Sequence, residues 1–84
     1  MIRYLVTTIR TPQFDPSVIE AHYAFIDGLR RQGKLELAGP FTDKSGGAYL
    51  IRATDMEEAK AIAFSDPVHT SKSSTVTVYE WDAK

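Results

Sequence analysis

Two residues that could carry acid–base chemistry, His22 and Asp66, are both assigned by the sequence to the buried sides of predicted helices. His22 lies on the apolar face of the amphipathic segment 16–32, where apolar residues recur at helical spacing. Asp66 extends the buried row of a second helix over Asp55–Ser65, and Pro67 ends that helix. A carboxylate beside a histidine fixes the imidazole tautomer and raises its basicity, so the ring can move a proton to or from a substrate.

The pattern along the chain, which determines whether these residues meet, predicts the element order β-α-β-β-α-β. The predicted strands are Ile2–Ile9, Leu35–Phe41, Ala48–Ala53 and Thr75–Trp81. The first helix ends at Gly33, and the second follows a capping box of Thr54 and Glu57. Turn residues 42–47 and a polar loop at Val68–Ser74 complete the pattern. This order predicts an α+β, ferredoxin-like fold, in which two helices cover one face of a four-stranded antiparallel sheet.

The strands carry apolar side chains on both faces, although the two helices cover only one. In the last strand Val76 and Val78 lie on one face, and Tyr79 and Trp81 on the other. Four aromatic residues are interpreted as core and interface residues: Tyr4, Tyr49, Tyr79 and Trp81. An uncovered apolar sheet is a liability, and a chain this small gains stability by association. We therefore expect a homodimer through the sheet faces.

The predicted topology brings distant residues to one rim of the fold. His22 lies near the start of the first helix and Asp66 just past the end of the second, and these helices run in opposite directions. The first and second strands end at the same rim. We therefore expect a small-molecule site there, with His22 and Asp66 as catalytic residues. The candidate substrate-binding residues are Arg10, Gly39, Pro40, Phe41 and His69.

Each candidate also has a purely structural interpretation. His22 could be a core histidine that donates to a backbone carbonyl, and Asp66 could belong to an Asp-Pro turn. His69 could be a solvated loop residue, and Arg10 an exposed arginine at the end of a strand. Gly46-Gly47 is interpreted as a hairpin turn, because no phosphate-loop pattern surrounds it.

The composition excludes several classes of chemistry. The 84-residue chain has no cysteine, so disulfides, thiolate nucleophiles and cysteine metal sites are excluded. Its histidines and carboxylates have no metal-ligand spacing, and we expect neither a metal nor a cofactor. The formal net charge of −1 offers no basic surface for nucleic acid. The N-terminal apolar stretch is too short to span a membrane and lacks a signal cleavage site. We expect one cytoplasmic domain over residues 1–84, with no nucleic-acid or membrane partner.

Short motifs stand in a characteristic order along nearly the whole chain. They are His22, Gly33-Lys34-Leu35, Ala38-Gly39-Pro40, Gly47, Asp66-Pro67 and Trp81. Together they resemble the YCII-related (YciI-like) family of the dimeric α+β barrel superfamily. The resemblance implies a ferredoxin-like protomer, a dimer through the sheets, and an active site of His22 and Asp66. Two positions depart from the family pattern: Ile19 stands where an arginine is frequent, and Val68 where an aromatic residue is common.

These observations favour an enzyme that acts on a small molecule, with His22 as general acid or base and Asp66 as its orienting partner. Elimination, isomerisation and hydrolysis all use such a pair. A non-catalytic metabolite-binding or accessory module is one alternative. A cofactor-free oxygenase, as found elsewhere in the superfamily that the chain resembles, is another.

Overall fold

The computed structural model describes residues 1–84 and contains the predicted elements together with one additional short helix. The elements are β1 (Ile2–Arg10), α1 (Val18–Arg31), β2 (Leu35–Pro40), β3 (Gly46–Ile51), α2 (Met56–Ala63), α3 (Pro67–Thr70) and β4 (Ser74–Asp82). The strands form one antiparallel sheet in the order β2-β3-β1-β4. The predicted α+β, ferredoxin-like fold is confirmed. None of the helices has the length and apolar character needed to cross a membrane.

The core lies between the helices and one face of the sheet. Alternate side chains of a strand point to opposite faces, and the two central strands place their even-numbered (β1) and odd-numbered (β3) residues on the helix side. The buried core residues are Tyr4, Val6, Ile26, Leu29, Leu35, Tyr49, Ile51, Ala59 and Ala63. Ala59 and Ala63 of α2 have no exposed surface. Their small side chains let the helix lie close against the sheet.

The opposite face of the sheet, called here the open face, carries large apolar side chains that no helix covers. Leu5 pairs across strands with Leu50 on one side and with Tyr79 on the other. Leu37 is 70% exposed and Trp81 is 48% exposed. This is the distribution expected from the two-sided apolar strands. The homodimer that would cover this face stays a prediction.

Local capping differs from the sequence prediction at the second helix and after it. The cap of α2 is Asp55 rather than Thr54, because the Glu58 backbone N–H donates to Asp55 Oδ1 at 2.8 Å. The loop predicted over Val68–Ser74 is wrong in its first part, where α3 forms. Asp66 caps this helix by accepting from the Val68 N–H, and Pro67 occupies its first turn. Proline suits that position because its ring fixes a helical φ.

The predicted Gly46-Gly47 turn is also wrong, since both glycines begin strand β3. Gly46 pairs with Ile9 and Gly47 with Thr8. A Cβ atom on Gly47 would lie 2.7 Å from the carbonyl oxygen of Gly39 on β2. Glycine is therefore required where β2 approaches β3.

Candidate active site

The side chains of His22 and Asp66 are in direct contact. His22 Nδ1 lies 2.9 Å from Asp66 Oδ1. His22 projects from the second turn of α1, and Asp66 is the N-cap of α3. The imidazole has 19% of its surface exposed, whereas the carboxylate has none. The histidine can thus reach a ligand while its partner stays out of water.

Asp66 accepts from three donors, and these define its orientation. Oδ1 receives the Val68 N–H at 3.0 Å in addition to His22 Nδ1. Oδ2 receives the hydroxyl of Tyr49 at 3.2 Å. An ionised carboxylate only accepts hydrogen bonds, so a set of donors around it suits the charged form. The negative charge then lies directly beside the imidazole.

This arrangement selects the tautomer of His22. Because Asp66 offers only acceptors, Nδ1 must carry the proton. In the neutral ring Nε2 is then unprotonated. His22 lines a cavity of about 220 Å³, and Nε2 makes no hydrogen bond within the protein. Nε2 is thus the ring atom available to a bound molecule.

The cavity, called here the cleft, lies between α1 and strands β1 to β3. Successive turns of α1 contribute Ile19, His22, Tyr23, Ile26, Asp27 and Arg30 to its wall. Three candidate binding residues from the sequence, Arg10, Gly39 and Pro40, also line it. Ile19 and Val68, the two departures from the family pattern, are part of the same wall. Their side chains make this part of the wall apolar.

The other two candidate binding residues lie outside the cleft. Phe41 begins the turn after β2, where its backbone N–H donates to the carbonyl of Gly46. His69 stacks on Phe64, with ring centroids 4.6 Å apart. Neither residue is part of the cleft wall. The substrate-binding role expected for both rested on their position at the rim, and local turn geometry directs them elsewhere.

Arg10 is a cation at the cleft without a carboxylate partner. Its guanidinium lies 4.2 Å from the centroid of the Phe14 ring, and it forms no ion pair. Arg30, the other arginine in the wall, is paired with Asp27 at 2.8 Å. Arg10 is therefore the arginine of the wall with its donors free for an anionic group.

Tyr49 belongs to the site although the sequence indicated only a core aromatic. Its side chain is 2% exposed, its ring contributes to the cleft, and its hydroxyl reaches Asp66. Burial, followed by the Asp66 charge and their hydrogen bond, raises the pKa of Tyr49. The sequence predicted a core or interface position for Tyr49, but not the partner of its hydroxyl. No group of three or more histidine, aspartate or glutamate side chains could hold a metal ion.

Comparison with known proteins identifies the family. Residues 2–82 match the YCII-related domain. The chain belongs to the YCII-related family. The resemblance stated from the motifs is confirmed. This YCII-related chain is 43% identical over 84 residues to the uncharacterized protein YjpA of Bacillus subtilis (strain 168), covering 100% of this chain and 99% of YjpA.

Two solved structures share the YCII-related fold at low sequence identity. One is 5-chloro-2-hydroxyhydroquinone dehydrochlorinase (TftG) from Burkholderia phenoliruptrix AC1100, in complex with 2,5-dihydroxybenzoquinone. Its TM-score is 0.76 at 19% identity, with 100% of this chain and 96% of that chain covered. The other is an antibiotic biosynthesis monooxygenase, with a TM-score of 0.66 at 14% identity and coverages of 100% and 99%. Both likenesses show that the chain shares its fold with these proteins.

Proposed function

We propose that the chain is an acid–base enzyme that acts on a small molecule bound in the cleft. His22 carries the proton and Asp66 orients the ring. The observation that supports this most directly is the contact at 2.9 Å between His22 Nδ1 and a fully buried carboxylate. It leaves Nε2 free at the cleft wall, in the form that accepts a proton.

The proposed step is a proton transfer between the substrate and Nε2. The lone pair of Nε2 takes a proton from a carbon or oxygen of the substrate, and the bonding electrons remain on the substrate. The imidazolium that forms is stabilised by the adjacent charge of Asp66. The same ring then returns the proton to a leaving group or to another atom of the product. Elimination, isomerisation and, with a water molecule as the proton source, hydrolysis all fit this cycle.

The cleft favours a small, planar and anionic substrate. Arg10 has no carboxylate partner and could bind a carboxylate or phenolate. Phe14, Tyr23 and Tyr49 supply aromatic surface in the same wall. TftG, a protein of the same fold, was solved with 2,5-dihydroxybenzoquinone. Hydroxylated aromatic acids and quinols are therefore the first compounds to test.

The test is a turnover screen with matched variants of α1. Wild-type protein, His22→Ala and Glu20→Ala are incubated with phenols, quinols and carbonyl compounds, and products are followed by mass spectrometry. We expect His22→Ala to lower turnover by about a hundredfold or more. Glu20 is exposed and is not part of the cleft wall, so Glu20→Ala should retain activity.

Three results would lead to other conclusions. Equal turnover by His22→Ala would contradict the acid–base role. Compounds that bind in the cleft but are never converted would favour the metabolite-binding module. Oxygen consumption with an electron-rich phenol would favour the cofactor-free oxygenase.

We also propose that a second copy of the chain covers the open face. Leu37 on one edge strand, and Tyr79 and Trp81 on the other, are 70%, 53% and 48% exposed on that face. Apolar surface of this kind gains free energy when it is removed from water. A symmetric pairing of two sheets would cover both open faces at once.

A further inference from the structure

Tyr49 is held rigidly where it meets Asp66. It lies on β3, between Val6 of β1 and Ala38 of β2 in the strand register. Its ring packs edge-on against Phe25, with centroids 6.4 Å apart and planes at 69°. A side chain fixed by a central strand and by packing places its hydroxyl more accurately than a loop residue can.

The Tyr49 hydroxyl is the one protein donor to Asp66 Oδ2. Oδ1 is held by the Val68 N–H and by His22, whereas Oδ2 receives only the phenol, at 3.2 Å. Asp66 has no exposed surface. Without the hydroxyl, Oδ2 would be a buried acceptor with no donor, which is costly in a site closed to water. Donors on both oxygens also fix the plane of the carboxylate.

We propose that Tyr49 is a positioning residue for the His22–Asp66 pair. Its hydroxyl fixes the Asp66 carboxylate, and the fixed carboxylate holds the proton of His22 on Nδ1. The proposal rests on the proposed acid–base function, which requires a free Nε2. It assigns to Tyr49 a role through Asp66 and not a contact with reacting atoms.

The protonation of Tyr49 agrees with a donor role. Burial, the nearby Asp66 charge and their hydrogen bond all raise the pKa of the phenol. Tyr49 therefore keeps its proton throughout the neutral range. A phenol in this state can donate to Asp66 but does not serve as a base toward a substrate.

The test measures the tautomer of His22 directly. Nitrogen-15 NMR of the imidazole distinguishes Nδ1–H from Nε2–H in wild type, Tyr49→Phe and Tyr4→Phe. Tyr4 is a matched control because it is also a buried tyrosine on the inner face whose hydroxyl donates to a carboxylate, that of Glu80 at 3.3 Å. We expect Nδ1–H in wild type and in Tyr4→Phe. In Tyr49→Phe the carboxylate is no longer fixed at Oδ2 and can turn away from Nδ1. The ratio of Nε2–H to Nδ1–H should then rise about fivefold or more, the factor that corresponds to the net stabilisation by about one hydrogen bond.

The outcomes separate this proposal from the proposed function. If wild type holds Nδ1–H and Tyr49→Phe is unchanged, the role of Tyr49 is overturned while the His22–Asp66 pair stands. If wild-type His22 carries its proton on Nε2, the acid–base proposal itself fails. With a substrate in hand, Tyr49→Phe should lower kcat by about tenfold and leave KM nearly unchanged.

A second measurement uses only the wild-type protein and so does not depend on the folding of a variant. The Tyr49 hydroxyl proton should give a slowly exchanging NMR signal with contacts to its own ring, because it is buried and hydrogen-bonded. A Tyr49 hydroxyl that exchanges as fast as that of Tyr23, which is 51% exposed, would overturn the proposal.

Discussion

His22 and Asp66 are 44 positions apart in sequence, and their side chains meet at 2.9 Å. The contact joins α1 to the start of α3. It therefore links two helical elements besides orienting a ring. The carboxylate also caps α3 through the Val68 N–H, so loss of Asp66 affects local structure, tertiary structure and chemistry together.

Asp66→Ala should destabilise the fold by about 2–4 kcal/mol, because it removes a helix cap and leaves buried donors without an acceptor. Asp66→Asn should cost less, since its carbonyl oxygen can still accept from the Val68 N–H. Urea denaturation followed by circular dichroism measures both. Equal stability of Asp66→Ala and wild type would contradict a structural role for the carboxylate.

The contact between His22 and Asp66 could be predicted because both residues lie on periodic elements whose direction the fold determines. Helical spacing assigned each side chain to an inward face, and the element order placed both at one rim. Arg10 and Gly39 followed in the same way, since both lie at strand ends that the topology places at that rim. For residues in helices and strands, the hydrophobic period predicts the face and the topology predicts the end of the fold, to within about one helical turn.

Periodicity and topology did not predict the side-chain contacts of Tyr49, Phe41 and His69. Strand alternation gave the face of Tyr49 but not the partner of its hydroxyl, which depends on how closely α3 packs on the sheet. Phe41 lies in a turn and His69 in the short helix α3. The direction of their side chains depends on local turn and cap geometry, which strand and helix periodicity does not predict. The Asp66-Pro67 pair is a cap and first-turn signal for a helix, whereas in the sequence it was interpreted only as the end of the preceding helix or as a turn.

Gly47→Ala should destabilise the protein by about 2 kcal/mol or more, because the new methyl group would overlap the backbone of β2. Gly28→Ala is the matched control. Gly28 lies within α1 with nothing within 4 Å of its Cβ position, so alanine should add about 1 kcal/mol of helix stability. Thermal unfolding of both variants checks the prediction, and a Gly47→Ala protein with an unchanged Tm would contradict it.

The acid dependence of stability should involve Glu36. A hydrogen bond from Arg52, with support from the charge of Arg3, lowers the pKa of this carboxylate. The pKa of a glutamate in an unfolded chain is about 4.3. Because the pKa of Glu36 is lower in the folded protein, its ionised form stabilises the fold at pH values above the unfolded-state pKa. This stabilisation is lost as the pH falls through the folded-state pKa. Glu36→Gln should therefore be less stable than wild type at about pH 7, with the difference vanishing at about pH 2. A difference independent of pH would show that the charge of Glu36 is not involved.

The alkaline limit of stability should involve Tyr49, whose pKa burial raises above its usual value. In the unfolded chain this phenol ionises near about pH 10, whereas in the folded protein it remains protonated. Unfolding then releases a proton, so stability falls as the pH rises above about 10. Tyr49→Phe should show a shallower decline over that range. Tyr4, whose pKa is also raised, would maintain part of the decline.

Association through the open face can be tested with Leu37→Asp. Leu37 is 70% exposed on the edge strand β2, so a carboxylate there leaves the protomer core intact but opposes burial against a second sheet. We expect wild type to sediment as a dimer and Leu37→Asp as a monomer with unchanged secondary structure. Lys60→Asp, at an exposed position on α2, is the control for added negative charge and should remain dimeric. Wild-type protein that sediments as a monomer at micromolar concentration would contradict the sheet-face dimer.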